Sequence, residues 1–230
     1  MTRTPFSIAV ALSAAALAFG VPAIATPVDL PGAGQIQVKV KSLADMRFRN
    51  MTRQSRDLSC GAAAVSTLLV HAYGIDAGEG EIIDSIFSIT PEEQRQKIAA
   101  EGFSLLELKR YIETHGFAAG GFQLESVDKL ANLRVPVIAL INVRGYNHFV
   151  VIKRVHQGRV LIADPAFGNS RPTLEEFAGQ WNGIILAVAK ANTSPKPDFM
   201  EDPTILARPG DLRSISVALG SAEITLPGEF

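Results

Sequence analysis

The fold is decided by residues 60–73, which read CGAAAVSTLLVHAY and are followed by Gly74. Small and apolar residues fill nearly every position of this run, so a helix formed by it is apolar on almost every face. A glycine directly after such a run is a common helix stop. We therefore predict a helix that begins at Cys60, ends at Tyr73 and lies buried in the middle of the domain.

The composition is that of one globular domain of ordinary size. The chain has 230 residues, of which 47% are hydrophobic, with 22 basic and 23 acidic side chains. This apolar content is enough for a hydrophobic core and argues against a disordered chain. The net charge of −1 argues against a protein that binds nucleic acid through a basic surface.

The N-terminus has the three parts of a secretory signal peptide. Arg3 is the only charged residue among the first 25, residues 6–19 are almost entirely small or apolar, and Ala23-Ile24-Ala25 forms an A-x-A cleavage site. The apolar run is shorter than the about 20 residues that a membrane span needs. We therefore expect residues 1–25 to be removed and the mature protein to lie in a bacterial periplasm. The alternative is an uncleaved anchor, which would attach the protein to the membrane.

The single cysteine, Cys60, has no partner for a disulfide within the chain. In an exported protein an odd thiol indicates an intermolecular pair or a reactive group, although free cysteine is more often a small buried hydrophobe. Its place at the start of the predicted helix favours the reactive interpretation, because the positive end of the helix dipole stabilises a thiolate. Gly61 and Ala62 are expected to leave room for a substrate backbone beside the sulfur.

Helix caps and β-branched runs predict an α+β domain, with helices in its first half and a sheet in its second half. Thr90, Ser104 and Thr173 each precede a glutamate by three residues, a pattern that opens a helix. We predict strands over residues 35–41, 135–142, 147–155, 159–163 and 183–189. One further short helix is predicted over residues 126–132. Gly120-Gly121 is assigned to a connection.

Three segments follow from this pattern. They are the signal peptide at 1–25, one folded domain at 26–190 and a C-terminal extension at 191–230. Within the extension, residues 193–212 hold four prolines and are expected to form an extended linker, and residues 215–224 are predicted as a terminal hairpin.

Of the four histidines, His148 stands apart because it begins an otherwise apolar strand. Asp164 ends the next predicted strand and is followed by Pro165, which cannot continue a ladder. A hairpin centred on His156 would place imidazole and carboxylate directly opposite each other, whereas a turn nearer Gly158 would need a bulge to restore that pairing. Alone, these residues could be a satisfied core histidine and a turn initiator; their pairing favours catalysis.

Gln54 lies six residues before Cys60, in the loop that leads to the helix. Its amide could donate a hydrogen bond to the oxyanion that forms when a thiolate attacks a carbonyl, with the Cys60 backbone N–H as a second donor. A loop glutamine is ordinarily just solvated, so this role depends on the resemblance described next.

Five stretches of the chain follow one another in a specific order and spacing. They are Gln54 with residues 59–63, residues 102–109, residues 147–152, residues 163–166 and residues 175–183. Together they closely resemble the C39 peptidases. The resemblance runs from about residue 53 to residue 189, and includes six residues from glutamine to cysteine and sixteen from histidine to aspartate. It implies a papain-like fold in which a helical half carrying the nucleophile packs on an antiparallel sheet.

The resemblance also implies roles. Cys60 would be the nucleophile, His148 the general base and acid, Asp164 the group that orients the ring, and Gln54 the oxyanion donor. C39 domains remove double-glycine leader peptides, usually as the cytosolic N-terminal part of bacteriocin exporters. Here Ser59 stands where the family commonly has aspartate, and an export signal takes the place of a transporter.

The leading hypothesis is a periplasmic cysteine peptidase that cleaves through a thioester, after small residues such as Gly-Gly. Its client would be a secreted or surface-assembled protein, such as an amyloid-like fibre subunit, or a secretion-system component. A binding module that holds a client without cutting it, and an acyltransferase that passes the acyl group to an amine, are the alternatives. Metal-ligand spacings and a phosphate-binding P-loop are absent from the sequence, so we expect no cofactor, no ATP and no nucleic-acid partner.

Overall fold

A computed structural model describes residues 28–30, 34–36 and 43–201 of the chain. The predicted signal peptide, most of the strand predicted at 35–41 and the hairpin predicted at 215–224 lie outside these residues. None of the helices among the described residues is long and apolar enough to cross a membrane.

The chain divides into two compact units, Met1–Val40 and Lys41–Phe230. In the first unit, strand β1 (Val28–Leu30) pairs antiparallel with strand β2 (Gly34–Ile36).

Helices form much of the first half of the second unit. The α-helices described there are α1 (Leu43–Arg47), α2 (Cys60–Ser66), α3 (Glu79–Ile89), α4 (Glu92–Glu101), α5 (Leu105–Thr114), α6 (Leu174–Ala178) and α7 (Pro197–Met200). A π-helical segment (Thr67–Tyr73) follows α2, and a 3₁₀ helix (Val127–Asn132) precedes the main strands.

A six-stranded antiparallel sheet forms most of the second half of this unit's described residues. Its strands are β3 (Ala118–Gln123), β4 (Val137–Val143), β5 (Tyr146–His156), β6 (Arg159–Asp164), β7 (Gly168–Ser170) and β8 (Trp181–Ala189). Their spatial order is β3-β8-β4-β5-β6-β7. Helices followed by an antiparallel sheet confirm the α+β prediction.

The sheet separates two hydrophobic cores. In β5, Phe149 and Val151 belong to the core shared with α2, α3 and α5, whereas Val150 and Ile152 belong to the core that includes Leu130 and the α6 residue Phe177. This alternation follows from the two-residue period of a strand. Burial on both faces explains why β5 reads as a continuous apolar run.

The predicted helix over residues 60–73 is confirmed, with α2 continuing directly into the π-helical segment. Gly74 ends it in the left-handed conformation at φ 74°, and its N–H donates to the Val70 carbonyl at 3.1 Å. Most of its residues are fully buried. The wider π-helical turns in its second half were not predicted.

Gly61 and Ala62 serve packing rather than substrate access, so that expectation is wrong. Both residues are buried. A Cβ atom on Gly61 would lie 3.1 Å from Leu108 and 3.2 Å from Phe149. The missing side chain lets α2 approach α5 and β5 closely.

Two of the three predicted capping boxes are confirmed. Ser104 opens α5 and Thr173 opens α6, each with the reciprocal hydrogen bonds of the motif. Thr90 does not cap α4, which begins after Pro91 without a side-chain cap. The Thr90 hydroxyl instead donates to the Ile86 carbonyl at 2.7 Å and closes the end of α3.

Three elements differ from the sequence interpretation. Helix α3 was not predicted, and Gly120-Gly121 lies in the edge strand β3 rather than in a connection. The extended linker expected from residue 193 is wrong for Pro197–Met200, which forms α7 and buries Phe199. The Lys196 N–H also donates to the Ala72 carbonyl at 2.7 Å, so this segment is fixed to the end of the central helix.

Candidate active site

Cys60 is the first residue of α2, and its side chain is half-buried at the edge of a cavity of about 800 Å³. The backbone N–H groups at the start of a helix have no intrahelical partner and carry partial positive charge. The sulfur therefore sits where the backbone favours negative charge and remains open to a ligand.

His148 and Asp164 lie together beside this helix start. His148 Nε2 is 2.8 Å from Asp164 Oδ1, and the two side chains are only 12% and 10% exposed. The same carboxylate oxygen accepts hydrogen bonds from the backbone N–H groups of Ala166 at 2.8 Å and Phe167 at 2.9 Å. These backbone donors fix the carboxylate, and the carboxylate in turn fixes the imidazole.

The hairpin has the second of the two predicted arrangements, a turn nearer Gly158 with a bulge, but this bulge does not restore direct opposition. The hairpin turns at Gln157-Gly158, because His156 pairs with Arg159, and the register shifts at a bulge between Ile152 and Arg154. Beyond the bulge, Val151 pairs with Ala163. Extending that register by one residue places Asp164 opposite Val150, so direct opposition to His148 is wrong. The side chains meet diagonally.

The environment of His148 favours its protonated form. Burial, the largest single influence, lowers the pKa of the ring, but hydrogen bonds with Asp164 and Cys60, together with the charges of both partners, raise the pKa of His148 to about 9. Since Nε2 contacts the carboxylate, Nδ1 is the nitrogen left for the sulfur. The ring thus lines one cavity with Cys60, contacts Asp164 through Nε2 and favours the protonated form at neutral pH.

Gln54 lines the same cavity as Cys60 and His148. Its backbone N–H donates to the Pro165 carbonyl at 3.0 Å, which ties the loop before α2 to the loop after β6. Its side-chain oxygen is buried and has no hydrogen-bond partner among the described residues. The backbone of Gln54 is thus fixed beside the site, and its side-chain oxygen keeps unused hydrogen-bonding capacity there.

Bulky side chains line this cavity together with Cys60. Leu58, Tyr146 and Phe167 are 42%, 77% and 57% exposed and line the cavity together with Cys60. The Phe167 ring meets the His148 ring edge to face, with centroids 6.1 Å apart. The cavity therefore offers apolar contact next to the reactive groups.

The structure brings together all four residues that the sequence nominated. Sequence reasoning missed Glu79, the first residue of α3, whose buried carboxylate accepts a 2.6 Å hydrogen bond from the Ser59 hydroxyl. Nothing distinguishes this glutamate from its neighbours in the sequence. Within the described residues no three His, Cys, Asp or Glu side chains cluster as metal ligands.

The model of the peptidase C39 family matches residues 49–193. The chain belongs to this family. It is a cysteine peptidase. The matched segment begins before Gln54 and ends after β8, so it contains the whole site and the main sheet.

The C39 family members that the chain is similar to include stand-alone proteins and transporters. The chain is 41% identical over 159 residues to the probable functional amyloid protease FapD of Pseudomonas aeruginosa, and the matched region covers 69% of each chain. It is 37% identical over 177 residues to FapD of Pseudomonas fluorescens, covering 77% of this chain and 76% of the relative. It is 30% identical to the lactococcin-G-processing and transport ATP-binding protein LagD of Lactococcus lactis, over 69% of this chain but 20% of that protein.

A solved C39 peptidase shows the same fold. The peptidase domain of Streptococcus ComA, a bifunctional ABC transporter, matches with a TM-score of 0.51 at 18% identity, over 61% of this chain and 98% of that domain. This likeness confirms the predicted fold, a helical half packed on an antiparallel sheet.

The pKa of His148 is directly testable. In the Asp164→Asn protein, the midpoint of the His148 titration should fall from about 9 toward 6.5, because the carboxylate supplies a hydrogen bond and a charge that raise the pKa. NMR of ¹³C-labelled histidine rings measures the midpoint. Asp128→Asn, which removes an exposed carboxylate on the 3₁₀ helix, is the matched control and should leave the midpoint unchanged.

The same shift makes stability depend on pH. Because the folded-state pKa of about 9 exceeds the ordinary value, protonated His148 stabilises the fold fully below about pH 6.5, and this contribution disappears as the pH rises through 9. The excess stability of wild type over His148→Ala, measured by urea unfolding, should shrink over that interval. A constant difference from pH 6 to 10 would contradict the assignment.

Proposed function

We propose that Cys60, His148 and Asp164 are the catalytic triad of this peptidase. One observation carries the proposal: the His148 ring, hydrogen-bonded to Asp164 at 2.8 Å, lines the same cavity as Cys60, the only cysteine of the chain. A nucleophile, a base within its reach and a third group that orients the base are the parts that nucleophilic catalysis requires.

The reaction proceeds in two halves. The Cys60 thiolate attacks the carbonyl carbon of the scissile peptide, the C–S bond forms, and the carbonyl electron pair moves to oxygen. Protonated His148 then gives its proton to the leaving amine as the C–N bond breaks, which leaves a thioester. Neutral His148 takes a proton from water, the resulting hydroxide attacks the thioester, and the thiolate leaves while the ring stays protonated.

Gln54 and the backbone N–H of Cys60 are the proposed oxyanion donors. The Gln54 side chain lies in the same cavity as the sulfur, and the first N–H groups of α2 lack intrahelical partners. Each donor aimed at the developing negative charge is worth about 10²–10³ in kcat. Asp164 keeps the ring in the tautomer that presents Nδ1 to the sulfur.

Thiol reactivity tests the triad. At neutral pH, Cys60 should react with iodoacetamide at least about tenfold faster than an ordinary cysteine, because a thiolate and not a thiol is the nucleophile. His148→Ala should reduce the rate to that of an ordinary thiol, and Cys60→Ala should abolish both labelling and peptide cleavage. Mass spectrometry after timed quenching measures labelling.

His156→Ala is the matched control, since it removes the histidine at the far end of β5. It should leave labelling and cleavage unchanged. Equal rates in wild type and His148→Ala would contradict the triad. A reactive Cys60 that binds client without cleaving it would favour a binding module, and transfer of the acyl group to an added amine would favour an acyltransferase.

The proposed specificity is for small residues, Gly-Gly above all, on the acyl side of the cut bond. Three bulky side chains, Leu58, Tyr146 and Phe167, line the cavity that contains the sulfur. Residues without side chains allow the substrate backbone to approach Cys60 past these walls. Similarity to a lactococcin-processing protein supports cleavage of a peptide precursor.

Synthetic peptides test this specificity. A peptide with Gly-Gly before the scissile bond should be cleaved with a kcat/KM about 10- to 200-fold higher than its Val-Val counterpart, because added methylenes must displace the cavity walls. An Ala-Ala peptide should lie between them. Equal kcat/KM values for the three peptides would contradict a site shaped for glycine. Chromatographic separation of the products, followed over time, supplies the rates.

The proposed place of action is the periplasm, and the proposed client is a subunit of an extracellular functional amyloid. The first 25 residues have the composition of a signal peptide. Two relatives that match most of the chain are named as functional amyloid proteases. A secretion component that handles such subunits is the second candidate client.

Export is tested on protein expressed from the full sequence. N-terminal sequencing of periplasmic material should begin at Thr26, because the A-x-A site ends at Ala25. Changing Ala23 and Ala25 to Arg should block processing, whereas Thr26→Ala should not. Unprocessed wild type confined to the cytosol would contradict the proposal.

A further inference from the structure

A second carboxylate, Glu79, is hydrogen-bonded to the residue that directly precedes the proposed nucleophile. It is the first residue of α3 and only 8% exposed. Its Oε1 accepts hydrogen bonds from the Ser55 N–H at 3.0 Å and the Ser59 hydroxyl at 2.6 Å. Its Oε2 accepts from the Ser55 N–H at 3.1 Å and the Ser55 hydroxyl at 2.6 Å. Glu79, Ser55 and Ser59 are called the Glu79 clamp below.

The clamp holds both ends of one short loop. Ser55 directly follows Gln54, and Ser59 directly precedes Cys60, so the same carboxylate is bonded next to the proposed oxyanion donor and next to the proposed nucleophile. Between them, residues 56–58 are exposed, and Leu58 has a φ of 62°. A loop of this kind has little packing of its own to fix its shape.

Burial of a carboxylate costs free energy, because the ionised group loses its hydration. None of the ion pairs between described residues involves Glu79. Burial of an ionised group without a cation is tolerated when hydrogen bonds replace its hydration, and the clamp supplies them from the loop alone. The hydrogen bonds of the Glu79 carboxylate therefore fix the shape of this loop.

We infer that Glu79 is a positioning residue that sets the Gln54 amide and the Cys60 backbone N–H at the spacing an oxyanion requires. The inference rests on the proposed catalytic roles of Gln54 and Cys60. Glu79 acts through its hydrogen-bond partners Ser55 and Ser59. Donors held in place before the reaction stabilise the oxyanion without reorganisation, whereas a loosened loop loses that benefit.

The inference separates two measurements. Alkylation by iodoacetamide displaces iodide at a saturated carbon and forms no oxyanion, so it reports on Cys60 and His148 alone. Peptide cleavage needs the oxyanion donors as well. Glu79→Ala should lower kcat about 10- to 100-fold while KM and the alkylation rate stay within about threefold of wild type.

Two further variants provide rescue and control. Glu79→Gln should retain most activity, because its carbonyl can accept from Ser55 and its amide can donate to Ser59, whose hydroxyl then donates to the Arg56 carbonyl at 2.6 Å. Glu81→Ala removes an exposed carboxylate from the same helix and should leave kcat unchanged. A role in stability alone would not produce a change in kcat without a change in alkylation.

A double-mutant cycle identifies the partner. If Glu79 acts through Gln54, then adding Glu79→Ala to Gln54→Ala should lower kcat by much less than the same change does in wild type. Fully additive losses would overturn the inference, as would an unchanged kcat in Glu79→Ala or equal losses of kcat and alkylation rate. Should Glu79→Ala not fold, Ser55→Ala takes its place, and an unchanged kcat there overturns the inference equally.

The controls also separate this inference from the proposed function. A wild-type protein with ordinary thiol reactivity and no cleavage overturns the catalytic roles and the clamp together. A wild type that cleaves peptides, alongside a Glu79→Ala protein that cleaves them equally well, overturns the clamp alone.

Discussion

The hydrogen bond between His148 Nε2 and Asp164 Oδ1, 2.8 Å long, is the contact on which the arrangement of the site depends. It joins two strands of the sheet, and the same imidazole lines one cavity with Cys60 at the start of α2. The site therefore exists only where the helical half and the sheet half are packed together. Close packing of Gly61 against Leu108 and Phe149 makes that junction rigid, because a core at this density does not yield without cost.

Much of this arrangement could be predicted because strong local signals agree with the final fold. The apolar run after Cys60, the capping boxes at Ser104 and Thr173, and the β-branched runs of the sheet are such signals. The failures have physical causes. The Thr90 hydroxyl donates to the last turn of α3 instead of capping α4. Phe199 is buried in the core and fixes a Pro-rich segment that composition alone predicts to be a linker.

The site was predictable as a set of residues but not as a geometry. Spacing and resemblance nominated Gln54, Cys60, His148 and Asp164, whereas the register of the hairpin depends on the position of its bulge, which an apolar run does not reveal. Glu79 could not be predicted for a different reason: its partners Ser55 and Ser59 lie 24 and 20 positions earlier in the chain. No local pattern connects a helix-start glutamate with a distant loop.

The bulge between Ile152 and Arg154 divides the hairpin into two stretches with independent registers. The outer stretch is set by the Gln157-Gly158 turn, in which both residues have positive φ, and the inner stretch carries His148 and Asp164. A one-residue insertion or deletion near the turn can be absorbed by losing or moving the bulge, so that it does not invert the inner side chains. The outer end of this hairpin is accordingly free to change length during evolution while the distance between imidazole and carboxylate stays constant.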